Sequence, residues 1–227
     1  MSTLGEYLGA GSGTTKLLLN LNGNSTDSSG NSNNGTDTAI TYSQANGRFG
    51  QGAGFNGSSS KIENSSPSGL PTINGNKTIS LWLNIPSLPG VNSYSVFGLF
   101  NNTSSPTSSS QITINSSPEG NHISARIWGG GISVNSNFIP TINTWYNIIY
   151  TYNGTTHSIY INGKLLNTAT TSSQTGNSVF YSLGSYPTNT DQWYNGKLDE
   201  IILENVAWTP QQVAKYYANS LGIYATL

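Results

Sequence analysis

Residues 145–166, WYNIIYTYNGTTHSIYINGKLL, are the stretch that most restricts what this chain can fold into. Tyr146, Ile148, Tyr150 and Tyr152 alternate with Asn147, Ile149 and Thr151. A period of two in aromatic and β-branched residues predicts a strand with one face buried. Asn153-Gly154 follows, and both residues tolerate left-handed backbone, so the chain turns there. A second strand is expected from His157 to Ile161, with Ile159 and Ile161 on one side and Ser158 and Tyr160 on the other, ending at Asn162-Gly163. Two strands do not persist alone in water, so a larger sheet must cover the apolar face of this hairpin.

The alternation recurs along the chain. Lys16 to Asn22 reads as an inner strand, and residues 22–36 as a polar, turn-rich loop that is ordered only if something pins it. Asp27 is the only acid in that loop. Gly47 to Gly57, GRFGQGAGFNG, sets Phe49 and Phe55 among glycines, which suits a tight turn leading into a strand. Ser60 to Asn64 is a short strand, and Lys77 to Ile85 a clear one, with Ile79, Leu81 and Leu83 alternating with Ser80, Trp82 and Asn84. Weaker strands follow at Tyr94–Phe100, Gln111–Ile114, His122–Trp128 and Ile132–Val134, and after the hairpin at Ser178–Gly184 and Leu198–Leu203. About a dozen strands without βαβ alternation predict a sandwich of two sheets. One helix is expected from Pro210 to about Ala218, closing over one edge of the sandwich. Thr209 caps it, Gln212 completes a capping box, and Trp208 and Val213 occupy the staple positions.

Charge excludes some partners. Eight basic and nine acidic side chains give a net charge of -1, so nothing draws the chain to nucleic acid or to an anionic membrane. No apolar run is long enough to span a bilayer, and membrane insertion is not expected. Cysteine is absent, which rules out disulfides and thiolate chemistry. The first residues, MSTLGEYLGAGSGTTK, lack a basic start and a continuous apolar core, so no signal peptide is visible.

Taken in order, LLLNLNGNSTDSSGNSNNGT, GRFGQGAGFNG, KTISLWLNI, WYNIIYTYNGTTHSIYINGKLL and YNGKLDEIILENVAWTPQQVAKYY resemble the laminin-G-like, concanavalin A-like jelly-roll superfamily across residues 17–217. The resemblance implies an all-β fold: a concanavalin A-like jelly-roll sandwich of two antiparallel sheets with a short C-terminal helix. Residues 16–227 would form that domain, and residues 1–15 a flexible N-terminal extension or assembly arm. It also implies a structural calcium site made of Asn22, backbone carbonyls near Gly47, and Asp199. Calcium prefers carboxylate and carbonyl oxygens, and Asn22 stands where the family commonly has Asp. Asp27 is the one acid near enough in sequence to compensate. The alternative is that Asp199 accepts backbone or lysine hydrogen bonds at the start of a strand.

Fold alone does not give function, because this one supports lectins, adhesion modules, viral surface proteins and glycanases. No enzyme is expected. The catalytic strand of glycanases of this fold resembles Glu-x-Asp-x-Glu, whereas Glu200 to Glu204 carries Ile202 at the middle position. In a regular strand Glu200 and Glu204 would also stand about 13 Å apart, so solvated edge charges are the simpler reading. His122 and His157 have no nucleophile arrangement around them and are expected to be surface groups. Carbohydrate recognition needs only an exposed aromatic ring for the apolar face of a sugar and polar groups for its hydroxyls. Tyr94, Trp128, Tyr186 and Trp193, each beside a polar or glycine-rich loop, are the candidate platforms. Trp145 is a weaker one, while Trp82, Tyr150, Tyr152 and Trp208 read as packing residues.

The expected role is a non-catalytic, lectin-like carbohydrate-binding or adhesion domain, outside a cell or on a virus particle, with glycans or cell-surface glycoproteins as partners. The alternative is a structural capsid, turret, fibre or decoration protein, a homo-oligomer or virion subunit whose surfaces contact other subunits and bind no small ligand.

Overall fold

The computed structural model describes residues 13–129, 131–170, 176–188 and 191–224. Most of the expected N-terminal arm falls outside them. Two antiparallel sheets face each other. The eight-stranded sheet runs β13 (Lys164–Thr170), β12 (Thr156–Ile161), β11 (Tyr146–Tyr152), β6 (Lys77–Asn84), β15 (Asn195–Glu204), β4 (Gly52–Asn56) and β3 (Thr41–Ser43). Its eighth strand, β1 (Thr15–Leu19), pairs with the second half of β15, while β4 pairs with the first half. The seven-stranded sheet runs β10 (Ile132–Asn135), β9 (Ile123–Trp128), β8 (Ser109–Ile114), β7 (Tyr94–Phe100), β14 (Phe180–Leu183), β5 (Lys61–Asn64) and β2 (Thr36–Thr38). The all-β sandwich read from the sequence is the observed architecture.

The period of two places the core. Ile79, Leu81, Leu83, Ile148, Tyr150, Leu198 and Leu203 from the larger sheet meet Phe97, Leu99, Ile112, Ile114, Ile127, Tyr181 and Leu183 from the smaller one, all fully buried. Burying one such side chain contributes about 1.5–3 kcal/mol, which makes this two-sided layer the main source of stability. The predicted hairpin lies in it, with Tyr150 opposite Ile159 on one side and Ile79 on the other. Its third strand, β13, was not expected, because Lys164–Thr170 is largely exposed and its polar sequence hides the pairing.

Two expectations about this region are corrected. Strand β11 is buried on both faces, and the helix α1 (Pro210–Tyr224) is the reason. It covers the middle of the larger sheet, where Leu18, Trp82, Ile149, Tyr160 and Ile202 point outward and pack with Val213 and Tyr216. An edge position would have left those five side chains in water. The helix also runs past Ala218, and its start is as read. Thr209 N–H donates to Gln212 Oε1 at 2.8 Å and Gln212 N–H to Thr209 Oγ1 at 3.3 Å, the reciprocal bonds of a capping box.

His157 is the second correction of environment. It is buried, with Nδ1 2.7 Å from the Tyr150 hydroxyl and its ring stacked 4.1 Å from that of Tyr152. Burial, aided by the neighbouring Lys77 charge, pulls its pKa down to about 4. The histidine is therefore a neutral packing group at the end of the core.

The polar loop after β1 is ordered, and Asp27 pins it. Its Oδ1 accepts the N–H groups of Leu18 and Ser29, each at 2.9 Å, and its Oδ2 accepts Asn33 N–H and Ser29 Oγ–H at the same distance. Asn33 continues the lock, donating to Lys16 O and Ser68 O. A single carboxylate thus supplies the acceptors that a stretch without regular secondary structure lacks.

Candidate functional site

The accessible aromatic surface lies on the outer face of the seven-stranded sheet. Along β9, Ile123, Ala125 and Ile127 enter the core while Ser124, Arg126 and Trp128 point outward. Trp128 is 55% exposed, by far the most open of the four candidate platforms. Directly paired residues share a face, so the row Trp128, Ser109 and Phe100 runs across β9, β8 and β7. Neighbouring strands are about 4.8 Å apart, which sets Phe100 roughly 10 Å from Trp128.

Phe100 folds back over Gly98, where a Cβ would come within 2.4 Å of its ring. Tyr186 packs edge-on against Phe100 at 5.4 Å between ring centres. Trp128, Phe100 and Tyr186 therefore belong to one face, with Trp128 at its open rim. The centre of that face is closed: Ser95, Ser109, Gln111, Thr113 and Ser182 are buried. The segment after β14 lies against it, Ser95 donating to Ser185 O through its hydroxyl and to Gln192 O through its N–H.

Arg126 stands two residues from Trp128 on the same face, about 7 Å along the strand. Its Nη2 is 2.8 Å from Glu119 Oε2. An exposed pair of this kind adds about 0–1 kcal/mol, so its consequence is local order: it holds the Ser117–Glu119 turn beside the ledge. The ledge presents an indole beside a guanidinium that is paired with a carboxylate. Such a surface can stack on a sugar face and donate to and accept from its hydroxyls.

Tyr94 and Trp193 do not join it. Tyr94 is half-buried against the core, edge-on to Tyr194 at 6.0 Å, and its hydroxyl lies 3.3 Å from Ser87 Oγ. Trp193 is half-buried in the segment that follows β14. Trp145 packs against the cluster under α1. Arg126 was missed in the sequence although ISARIW alternates, and that alternation is the signal that could have found it. Its partner Glu119 has no sequence signature.

The implied calcium ligands are drawn to one place. Asn22 Oδ1 accepts Gln51 N–H at 2.8 Å, and Asp199 Oδ2 accepts the N–H groups of Arg48 and Phe49 at 2.7 and 2.8 Å. Gly50, at φ +81°, sits so close that a Cβ would lie 2.7 Å from Asn22 Oδ1. Asn22 Oδ1 and Asp199 Oδ2 thus face N–H donors of the loop that carries Gly47. Asp27 is likewise spent on its own loop. Asp199 anchors the loop through Oδ2, while its Oδ1 is buried without a hydrogen-bond partner. Burial pushes the Asp199 pKa up to about 7, with the N–H groups of Phe49 and Arg48 opposing the rise.

The acids of β15 are equally withdrawn. Asp199, Glu200 and Glu204 are all buried, and Glu204 Oε1 accepts Thr15 Oγ1–H at 2.7 Å. The strand is not regular there, since Asp199 pairs with Trp82 and the next pair joins Ile202 to Ser80. Glu200 takes a left-handed backbone, φ +50°, at this bulge. The expectation of solvated edge charges is corrected: the helix and β1 cover them.

With the sandwich, the order of its strands and this outer face in view, a family model provides the decision, matching residues 55–214 to the concanavalin A-like lectin/glucanases superfamily. The chain belongs to that superfamily. Among superfamily folds of known structure, it is similar to domain 4 of AbnA, an extracellular GH43 arabinanase from Geobacillus stearothermophilus solved with arabinotriose. The identity is 20% and the TM-score 0.71, covering 90% of this chain and 98% of that one. It is also similar to the binding domain of Paraclostridial Mosquitocidal Protein 1, with 18% identity, a TM-score of 0.73, and coverage of 91% and 52%. The receptor-binding domain of botulinum neurotoxin type G matches at 19% identity and a TM-score of 0.67, covering 91% and 51%. The chain thus spans about half the length of those toxin domains. At these identities the likeness is one of fold. Among curated proteins no sequence matches.

Proposed function

We propose that this chain is a non-catalytic, lectin-like recognition domain that works outside a cell and binds glycan at the Trp128 ledge. The observation that carries the reading is the exposure of the Trp128 indole at the rim of a sheet face on which Phe100, Phe180 and Tyr186 are packed. An open indole on a rigid strand costs little conformational entropy on binding and offers a flat apolar face to a sugar ring. Arg126 and Glu119 beside it supply donors and an acceptor already fixed in place. Burial of the β15 carboxylates supports a non-catalytic role, because a glycosidase needs two of them at the scissile bond. The matched arabinanase domain, solved with arabinotriose, supports glycan as the ligand class.

The test is a glycan array on the purified protein with Trp128→Ala and Trp193→Ala variants. Specific, saturable binding should fall at least about tenfold, the equivalent of 1.4 kcal/mol, in Trp128→Ala and persist in Trp193→Ala. Silence from folded protein across the array would sink the reading. A regular oligomer in which Trp128 is buried between copies would favour the capsid, fibre or decoration role instead.

A further inference from the structure

We propose a second ligand site on the opposite sheet, a groove for a hydroxylated carboxylate such as a uronic acid residue. It lies on the outer face of the eight-stranded sheet, beyond the cover of α1, where β3, β4 and the start of β15 meet. Its volume is about 290 Å³, at the lower end of what a single small ligand occupies. Thr41, Asn46, Asn56, Asn195, Lys197 and Pro86 are among the residues that line it. The site is independent of the Trp128 ledge and of the reading that rests on it.

The polar groups of the groove differ in what they have left to offer. Asn56 is spent on its own turn: Oδ1 accepts the N–H groups of Ser58, Ser59 and Ser60, and Nδ2 donates to Ser59 Oγ. It is a rigid wall. Asn46 directs Nδ2 at Thr41 O and Oγ1, at 3.0 and 3.2 Å, which leaves its carbonyl oxygen for an incoming donor. Asn195 makes one long contact, Nδ2 to Ser87 Oγ at 3.4 Å. Lys197 donates one N–H to Ala45 O at 2.8 Å and has two more to give.

Lys197 decides the chemistry. It is the only charged residue lining the groove, and among the described residues it pairs with no carboxylate. An ammonium held by one carbonyl above a concave, amide-lined floor fits an anionic group. Hydroxyls flanking that group would meet Asn46 Oδ1 and the Asn195 amide, and Pro86 provides the apolar edge of the groove, while the Phe55 ring is packed in the core on the other face of β4. A neutral sugar would leave the cation unanswered.

The experiment is an NMR titration of the full chain with methyl β-glucuronide and, separately, methyl β-glucoside. The side-chain amides of Asn46 and Asn195 should shift with the glucuronide and not with the glucoside, and the effect should weaken in about 0.5 M salt. Lys197→Gln should reduce affinity about tenfold or more, as loss of a charge-assisted hydrogen bond does. Asn195→Asp keeps the Lys197 to Ala45 bond and should weaken binding as well; Trp128→Ala should leave it unchanged. No shift with the glucuronide, equal shifts with both glycosides, or full affinity in folded Lys197→Gln would each overturn the proposal.

Discussion

Two loops of this molecule are held by one buried carboxylate each, and they are held differently. Asp27 serves its own neighbourhood: all four donors lie within nine residues of it, from Leu18 to Asn33. Asp199 reaches across the fold to N–H groups about 150 residues earlier. Asp27 orders a long polar segment, whereas Asp199 fixes the tight glycine turn that lets β4 enter the sheet beside β15. The first anchor has enough donors to satisfy a charge, and the second lies so deep that its charge is opposed by burial. At Asp199 two N–H donors do not outweigh that depth.

Removing the denser anchor should cost the most. Asp27→Ala leaves the N–H groups of Leu18 and Asn33 without their acceptor inside the protein, at about 1–3 kcal/mol each. The expected loss is roughly 4 kcal/mol, or about 10 °C in Tm for a domain of this size. Thermal unfolding followed by circular dichroism measures it. A fall of under about 2 °C would mean that the loop holds itself, and the contrast with Asp199 would lose its basis.

Asp199 should give an effect of comparable size that appears as a pH signature. Its folded pKa, about 7, stands above the unfolded carboxyl value of 3.8. The folded state therefore holds the proton more tightly. Its contribution is full below pH 4 and is lost as pH rises through about 7. His157 has the opposite sign: with a folded pKa near 4 against 6.5 unfolded, its contribution is present above 6.5 and is lost as pH falls through about 4. The two slopes partly cancel in the native protein, so the informative curve is the difference between wild type and Asp199→Asn. That difference should move by about 4 kcal/mol in favour of the variant between pH 4 and 8. A flat difference would mean that burial does not oppose the Asp199 charge.

The same contrast separates what the sequence reveals from what it hides. Asp27 was legible as the only acid in a polar stretch, because its partners are local. The period of two in Tyr146–Tyr152 and Lys77–Asn84 located the central strands, and Thr209 with Gln212 located the helix start, again through local rules. The helix cover over Trp82 and Ile149, the burial of His157 and the depth of Asp199 come from contacts between distant segments, which no local pattern encodes. Trp128 was legible as a candidate but not as the open one: Tyr94, Tyr186 and Trp193 sit in similar loops, and only packing distinguishes them. Lys197 gave no signal, since its meaning lies in the lack of a carboxylate around it.

Calcium provides the finest test of the comparison, and its expected effect is the smallest. If N–H groups have taken the place of a cation between Asn22, the Gly47 loop and Asp199, then millimolar calcium should shift Tm by less than about 1 °C, and a chelator should do no more. A ligand that binds only the folded state at a hundred times its dissociation constant adds about 2.7 kcal/mol, which would appear as a rise of roughly 5–10 °C. A shift of that size, lost in Asp199→Asn, would mean that Asp199 turns its oxygens from Arg48 and Phe49 toward a metal. Asp199 would then be a ligand waiting for its ion, and only Asp27 would remain an anchor made of hydrogen bonds alone.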